Sequence, residues 1–387
     1  MRGCFFREGF AIRTATEEFI EACLWTDSQE LLEEELGRIS ARSGEIDWER
    51  ILLRGYRVAP EIYFRARNTY PDFDIPKEIG ERIERQYVES LARNERIRCC
   101  SRELALTFRQ EKINLVFLKG AALLDTLYKE DPALRFMNDL DVLVRKNDLA
   151  RAGEILRREG YFRDSGHEDH GGKREKHLFH QLYFGNQISL ELHWDIDRRN
   201  DLDLMDRFFR FAERSVILGE EIQVLSPAAS LFLACTNSAR DFFSVGLISN
   251  RRERSLYNYY ACLSLFSEIK KMIVFYGPRM DWDAFLTFTT VSKWRFEVLE
   301  LLRLAGRHAK AGIPGAILQR RAGGLFHITD TFLRRAFSLD DFGGLFFARQ
   351  ALFCFKRYLK RLVRYEDFRR TVSAQKRHES TEVVQNK

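Results

Sequence analysis

The chain lacks several features that would place it in a specialised class of protein. No run of apolar residues approaches the roughly 18–20 that a membrane-spanning helix needs. Arg7 and Glu8 interrupt the apolar residues near the N-terminus, which disfavours a signal peptide. The 7 cysteines are odd in number and contain no CxxC pair, so we expect free thiols rather than a disulfide framework. These absences predict a cytoplasmic protein without a membrane span.

A large excess of charge of one sign is also missing. The net charge is only +6 over 387 residues, which permits an anionic substrate such as a nucleotide but does not demonstrate nucleic-acid binding. Hydrophobic residues make up 45% and charged residues 31% of the chain, as in an ordinary folded protein. The length allows two or three lobes and a substantial core.

Helical patterns flank a central mixed segment. We predict a helical N-terminal lobe over residues 1–110, an α/β core over 111–225, a helical C-terminal lobe over 226–372 and a disordered tail over 373–387. Within the first lobe, a helix is expected to begin after Asp47 and to end or change direction at Pro60. A long amphipathic helix should follow from Lys77 towards Gln110, and Ser226-Pro227 should open another. The predicted fold class is therefore α+β.

Two short apolar runs in the core are typical of strands. They cover residues 114–118 and 140–144, and Asp139 and Asp141 stand at the leading edge of the second. Side chains two apart in a strand share a face, so these carboxylates lie together and repel unless a positive charge sits between them. Oxygen ligands of this kind favour a hard divalent cation, Mg²⁺ or Mn²⁺.

A third carboxylate follows on a predicted hairpin. Residues 182–196 form two alternating runs joined around Gly185-Asn186, a hairpin signal. On the second run Ser189, Glu191 and His193 share a face. If the hairpin lies beside the acidic strand, Glu191 completes a three-carboxylate site, and such sites support phosphoryl chemistry at two metals. His193 is an accessory candidate that orients a carboxylate or fills a polar core position.

Three motifs together resemble a known family. They are Leu-Lys-Gly at 118–120, R-x-x-x-D-L-D-x-L-V at 135–144 and L-E-L-H-W at 190–194. Their order and spacing resemble the polymerase-β-like nucleotidyltransferases, and within them an uncharacterised bacterial nucleotidyltransferase family. The resemblance implies a small mixed-sheet core and transfer of a nucleoside monophosphate from an NTP to a hydroxyl-bearing acceptor, with pyrophosphate release. It also implies roles for six residues: metal binding and catalysis by Asp139, Asp141 and Glu191, and nucleotide binding by Lys119, Gly120 and Arg135.

One departure from the superfamily concerns the first motif. The superfamily usually has Gly-Ser, whereas this chain has Gly120-Ala121, so the hydroxyl often assigned to phosphate binding is missing. Lys119 or backbone N–H groups at the start of the following helix are expected to serve instead. Arg135 has two open roles, a contact to phosphate or an ion pair that pins the loop before the acidic strand.

Two other functions remain open at this stage. One is a nucleotide- or partner-binding module without turnover, and the other is a toxin-type enzyme that modifies RNA. In a toxin-type enzyme, the basic amphipathic helix predicted at residues 345–370 would contact RNA. A helix of this kind also suits a membrane surface, but the favoured interpretation is that its apolar face docks on the core. Histidines 167, 170, 177 and 180 cluster around a glycine-rich loop; we favour loop or substrate contacts over a zinc site there. The acceptor is left open among small molecules, peptides and RNA.

Overall fold

The computed structural model of the protein describes residues 14–163, 180–196, 202–244, 251–292 and 295–319. They belong to one compact unit of the chain, Ile12–Ala322; a second unit, formed by Met1–Ala11 and Gly323–Lys387, lies outside the described residues. The predictions for the glycine-rich loop, the basic helix and the C-terminal tail also fall outside them. Along the described parts of the chain, no helix combines the length and the apolar character needed to cross a bilayer.

The N-terminal region is helical, as predicted. Its helices are α1 (Ala15–Trp25), α2 (Gln29–Ser40), α3 (Trp48–Arg54), α4 (Ala59–Thr69) and α5 (Lys77–Gln110). Asp47 caps α3, since its carboxylate accepts a hydrogen bond from the backbone N–H of Arg50 at 3.0 Å. The expectation for Pro60 was wrong. Helix α3 already ends at Arg54, and Pro60 lies in the first turn of α4. Backbone N–H groups in the first turn have no acceptor within the helix, so proline is tolerated there.

A mixed sheet forms the centre of the described fold. Its strands are β1 (Val116–Phe117), β2 (Asp139–Leu143), β3 (Phe162–Arg163), β4 (His180–Gly185), β5 (Ile188–His193), β6 (Ala212–Ile217) and β7 (Glu220–Leu225). They are arranged in the order β3-β4-β5-β2-β1-β7-β6. The pairs β2–β5 and β1–β7 are parallel and the other pairs are antiparallel. The α+β class is confirmed, whereas the β6–β7 hairpin was not anticipated.

The predicted hairpin is present and its turn explains its register. β4 and β5 pair antiparallel, with Gly185 opposite Ile188. Asn186 and Gln187 between them have φ of +50° and +61°, the conformation of a two-residue type I′ turn. The turn therefore lies one residue later than the sequence indicated. The strand residues that follow it keep the alternation that was predicted.

Alternation along β2 and β5 separates an apolar face from a polar face. Leu140, Val142, Leu190 and Leu192 are at most 1% exposed and pack with residues of α5 and of α7 (Leu149–Arg158). Burying such a side chain fully contributes about 1.5–3 kcal/mol, and a register slip of one residue would turn the whole apolar set outward. This core therefore fixes which residues of the two strands face the other way.

Further helices complete the described fold. They are α6 (Lys119–Leu124), which follows β1, and then α8 (Leu202–Arg210), α9 (Pro227–Ser244), α10 (Arg251–Tyr276), α11 (Trp282–Val291), α12 (Arg295–His308) and α13 (Gly315–Gln319). α9 begins at Pro227 as predicted. Two lysines of α10 contact the N-terminal helices: Lys270 donates to the Trp25 carbonyl at 2.8 Å, and Lys271 pairs with Glu61 at 2.6 Å. The division of the chain into three lobes and a tail stays a prediction.

Candidate active site

The pairing of β2 with β5 brings the predicted acidic residues to one face of the sheet. In this parallel pair Asp141 lies opposite Glu191, and Asp139 opposite Ser189. The next residue on the same face of β5 is His193, opposite Leu143. The geometric step that the sequence left conditional, a hairpin beside the acidic strand, is thus present in the fold.

Two basic side chains occupy the space between these carboxylates. The Lys119 ammonium donates to Asp141 Oδ1 at 2.5 Å. His193 Nε2 lies 2.8 Å from the same oxygen and 3.2 Å from Glu191 Oε2. Both neighbours of that nitrogen are acceptors, so Nε2 carries the proton and bridges the two acids. Asp141 and His193 are only 4% and 6% exposed, which makes this a buried charge cluster.

The acids differ strongly in their proton affinity. Burial on its own would raise the pKa of Asp141, but Lys119 and His193 outweigh it and hold that pKa well below its ordinary value. Burial would likewise lower the pKa of His193, yet its hydrogen bonds to Asp141 and Glu191 raise it. Asp139 behaves in the opposite way to Asp141: burial, reinforced by the charges of Asp141 and Glu191, raises its pKa to about 6.

Asp139 differs from Asp141 and Glu191 in having no hydrogen-bond or ion-pair partner among the described residues. Within the described parts of the chain, no hydrogen bond or ion pair holds its carboxylate, although the side chain is largely buried. A carboxylate that is desolvated and lies beside two other acids is in the position that a bound cation would stabilise.

The donor set is compatible with a divalent cation. Ligand-type atoms of Asp141, Glu191 and His193 all lie within 4.8 Å of one another. Asp139 is not a member of that group but lies two residues from Asp141 on the same face. Carboxylate oxygens suit Mg²⁺ or Mn²⁺, whereas His193 uses its Nε2 to bridge two acids. The residues fit a cation held by oxygen, and metal binding by Asp139, Asp141 and Glu191 stays a prediction.

The Lys-Gly pair at the start of α6 has an unusual backbone. Lys119 has a φ of +49°, a left-handed conformation that costs a non-glycine residue about 1–3 kcal/mol and recurs at functional sites. A Cβ on Gly120 would come within 2.7 Å of the Met137 thioether, so the glycine allows α6 to pack closely on the loop before β2. The predicted nucleotide contacts of both residues stay untested.

Arg135 makes the ion pair that was one of its two expected roles. Its guanidinium lies 3.0 Å from the Glu268 carboxylate of α10, and 5.9 Å from the centre of the Tyr128 ring. Burial would lower the pKa of Arg135, but Glu268 more than compensates and raises it. The pair joins the loop before the acidic strand to a helix far along the chain. A contact from Arg135 to phosphate stays a prediction.

A cavity of about 280 Å³ opens beside the acids. Lys119, Asp139 and Asp141 lie on its wall, together with Arg135 and Glu268. Other walls carry residues that were not predicted from the sequence: Arg57, Phe136, Ser230, Asn237 and Ser264. No local motif marks these residues, because they come from the α3–α4 turn, the loop before β2, α9 and α10. Only the packed fold shows that they meet.

Comparison with known proteins supports the assignment of a family. A family model for uncharacterised nucleotidyltransferases matches residues 44–310. A solution structure of the antibiotic-resistance factor ANT(2'')-Ia matches 48% of this chain and 91% of its own at 15% identity, with a TM-score of 0.27. A crystal structure of ANT(2'')-Ia with adenylyl-2''-tobramycin matches 48% of this chain and 98% of its own at 13% identity, with a TM-score of 0.27. No curated protein matches the chain significantly. The resemblance seen in the three sequence motifs is confirmed: the chain belongs to the uncharacterised nucleotidyltransferase family.

Proposed function

We propose that the protein transfers a nucleoside monophosphate from an NTP to a hydroxyl-bearing acceptor and releases pyrophosphate. The observation that carries this proposal is the placement of Asp139, Asp141 and Glu191 on one face of the paired strands β2 and β5. Two of these acids line the cavity beside the sheet. Membership of a nucleotidyltransferase family supports the reaction class.

The three carboxylates would hold the metal. A bound Mg²⁺ or Mn²⁺ would neutralise triphosphate charge and lower the pKa of the attacking hydroxyl. The largely buried carboxylate of Asp139 has no hydrogen bond or ion pair within the described parts of the chain, and its pKa is raised to about 6. This supports the role, because a structural carboxylate in such a place is normally paired.

The surrounding residues orient the acids. His193 donates to both Asp141 and Glu191, which fixes the two carboxylates relative to each other across the strand pair. Glu191 would accept the proton from the acceptor hydroxyl, because its side chain is more exposed than those of Asp141 and His193. Lys119 donates to Asp141 here, and because an ammonium has three N–H donors it would be able to contact phosphate without leaving that carboxylate.

The test is metal-dependent nucleotide binding followed by pyrophosphate release. Calorimetric titration of ATP, GTP, CTP and UTP with Mg²⁺, with Mn²⁺ or with EDTA compares the wild type, Asp139→Asn and Asp72→Asn. Asp72 is an exposed loop residue away from the sheet, so its variant is a matched control for loss of one carboxylate. Pyrophosphate is then measured with sets of small hydroxyl compounds, peptides or RNA as acceptors.

The expected result is binding of at least one NTP by the wild type and the control, lost in EDTA and in Asp139→Asn. Binding that is indifferent to metal and to Asp139 would refute the proposed site. Metal-dependent binding without pyrophosphate release for every acceptor would instead favour a binding module.

A further inference from the structure

The basic side chains around the cavity are not equally free to meet a substrate. Arg57, Lys119 and Arg135 all line it. Lys119 is paired with Asp141, and Arg135 with Glu268. Two of these three cations are therefore already neutralised by carboxylates on the same cavity wall.

Arg57 has no such acidic partner. Its Nε donates to the hydroxyl of the adjacent Tyr56 at 3.2 Å, and its guanidinium lies 5.8 Å from the centre of that ring. Both contacts are to a neutral group, and across the described segments no carboxylate pairs with Arg57. The side chain is exposed and lines the cavity, so its charge is accessible to a ligand there.

The backbone that presents Arg57 is fixed to the loop leading into the acidic strand. The ring of Tyr56 packs edge-on against Phe136, with centroids 4.9 Å apart, and Phe136 itself lines the cavity. The Gln86 side chain donates to the Tyr56 carbonyl. The Gly55 carbonyl accepts hydrogen bonds from Val58 at 2.8 Å and from Ala59 at 2.9 Å, which closes the turn between α3 and α4. The turn is thus held in place independently of any substrate.

We propose that Arg57 binds the phosphate groups of the nucleotide, an assignment that rests on the function proposed above. A triphosphate brings several negative charges to a cavity whose other cations are engaged by Asp141 and Glu268. A guanidinium presents paired N–H donors that match phosphate oxygens. Arg57 supplies this fork from the N-terminal helical region, outside the three motifs of the core.

The experiment compares nucleotides that differ only in phosphate number. Affinities for an NTP and for its monophosphate are measured with Mg²⁺ for the full-length wild type, Arg57→Gln, Arg57→Lys and Arg54→Gln. Arg54 is an exposed arginine three residues away that does not line the cavity, so its variant controls for loss of one surface charge. Thermal unfolding of each variant checks that the fold is kept.

Arg57→Gln should weaken NTP binding by about 10- to 100-fold, the effect of losing charge-assisted hydrogen bonds, and should weaken monophosphate binding less. Arg57→Lys should recover part of the loss, and Arg54→Gln should match the wild type. Wild-type NTP affinity in Arg57→Gln, or equal losses for both nucleotides, would overturn the assignment and leave the proposed function standing. Failure of the wild type itself to bind any NTP would overturn both.

Discussion

Replacing Asp139 by Asn is expected to make the metal-free protein more stable and to remove its activity. The substitution keeps the size of the side chain and removes a buried charge that has no partner among the described residues. Most substitutions at buried positions destabilise a protein. Here the opposite sign is expected, because among the described residues no hydrogen bond or ion pair compensates the charge of the wild-type carboxylate.

The size of the effect follows from the proton affinity of Asp139. Its pKa rises from 3.8 to about 6 on folding, and each tenfold change in affinity is worth about 1.4 kcal/mol. The charged form therefore destabilises the folded protein by up to about 3 kcal/mol at neutral pH. Residual solvent contact reduces this figure, so we expect a gain of about 1–3 kcal/mol for Asp139→Asn.

The raised pKa of Asp139 also makes the stability of the wild type depend on pH. Between pH 3.8 and about 6 the folded state holds a proton on Asp139 that the unfolded state has released, so wild-type stability falls as the pH rises. The advantage of Asp139→Asn should be largest above pH 7 and about half as large at pH 5.

Thermal unfolding in EDTA at pH 5 and pH 8 measures this difference. Asp139→Asn should unfold at a higher temperature than the wild type at pH 8, by roughly 1–2 °C for each kcal/mol in a protein of this size, and Asp72→Asn should not. Added Mg²⁺ should raise the midpoints of the wild type and of Asp72→Asn, but not that of Asp139→Asn. An equal or lower midpoint for Asp139→Asn in EDTA at pH 8 would refute the reasoning about the unpartnered charge.

Further substitutions test the packing at the β4–β5 hairpin and the ion pair on the cavity wall. Gly185→Ala should cost about 1–3 kcal/mol, because its Cβ would lie 2.9 Å from the Tyr161 Cα, whereas Gly44→Ala meets nothing within 4 Å and should be neutral; equal unfolding midpoints for the two variants would contradict this. Glu268→Gln should destabilise by about 2–4 kcal/mol, since it leaves the buried Arg135 guanidinium without its counter-ion. The double variant Arg135→Met/Glu268→Leu should recover most of that loss in the same thermal assay. If it does not, the unpaired charge of Arg135 is not the cause of the loss.

The face of the sheet that carries the acids could be predicted from sequence because strand alternation is a local rule. The type I′ turn at Asn186 and Gln187 then fixes the register of β5 through a short-range interaction. Pro60 shows the limit of a local rule, since proline is compatible with both the end and the beginning of a helix. The β6–β7 hairpin was missed because charged residues interrupt its apolar alternation, as in Ala212–Ile217.

The partners of the charged side chains could not be predicted. Lys119 contacts Asp141, and Arg135 contacts a glutamate of α10; neither acid was named from the sequence, and the predicted phosphate contact of Lys119 stays a prediction. Which acid a long basic side chain reaches depends on how helices pack, and that packing is not encoded in any short motif. For the same reason, the position of Arg57 at the cavity could not be predicted: it is one arginine in a helical region that carries no catalytic motif.

The position of β1 between β2 and β7 has a consequence for how the protein is made. β1 pairs parallel with β7, which lies at the far end of the core segment, and Asp141 and His193 are 52 positions apart. Contacts between such distant residues require closure of long loops and form slowly. A nascent chain that has not yet extended past β7 already contains all three acids, but β1 is still an edge strand open to pairing with other chains. Until β7 is synthesised, β1, the strand that leads directly into Lys119 and the candidate active site, therefore has only one of its two partners.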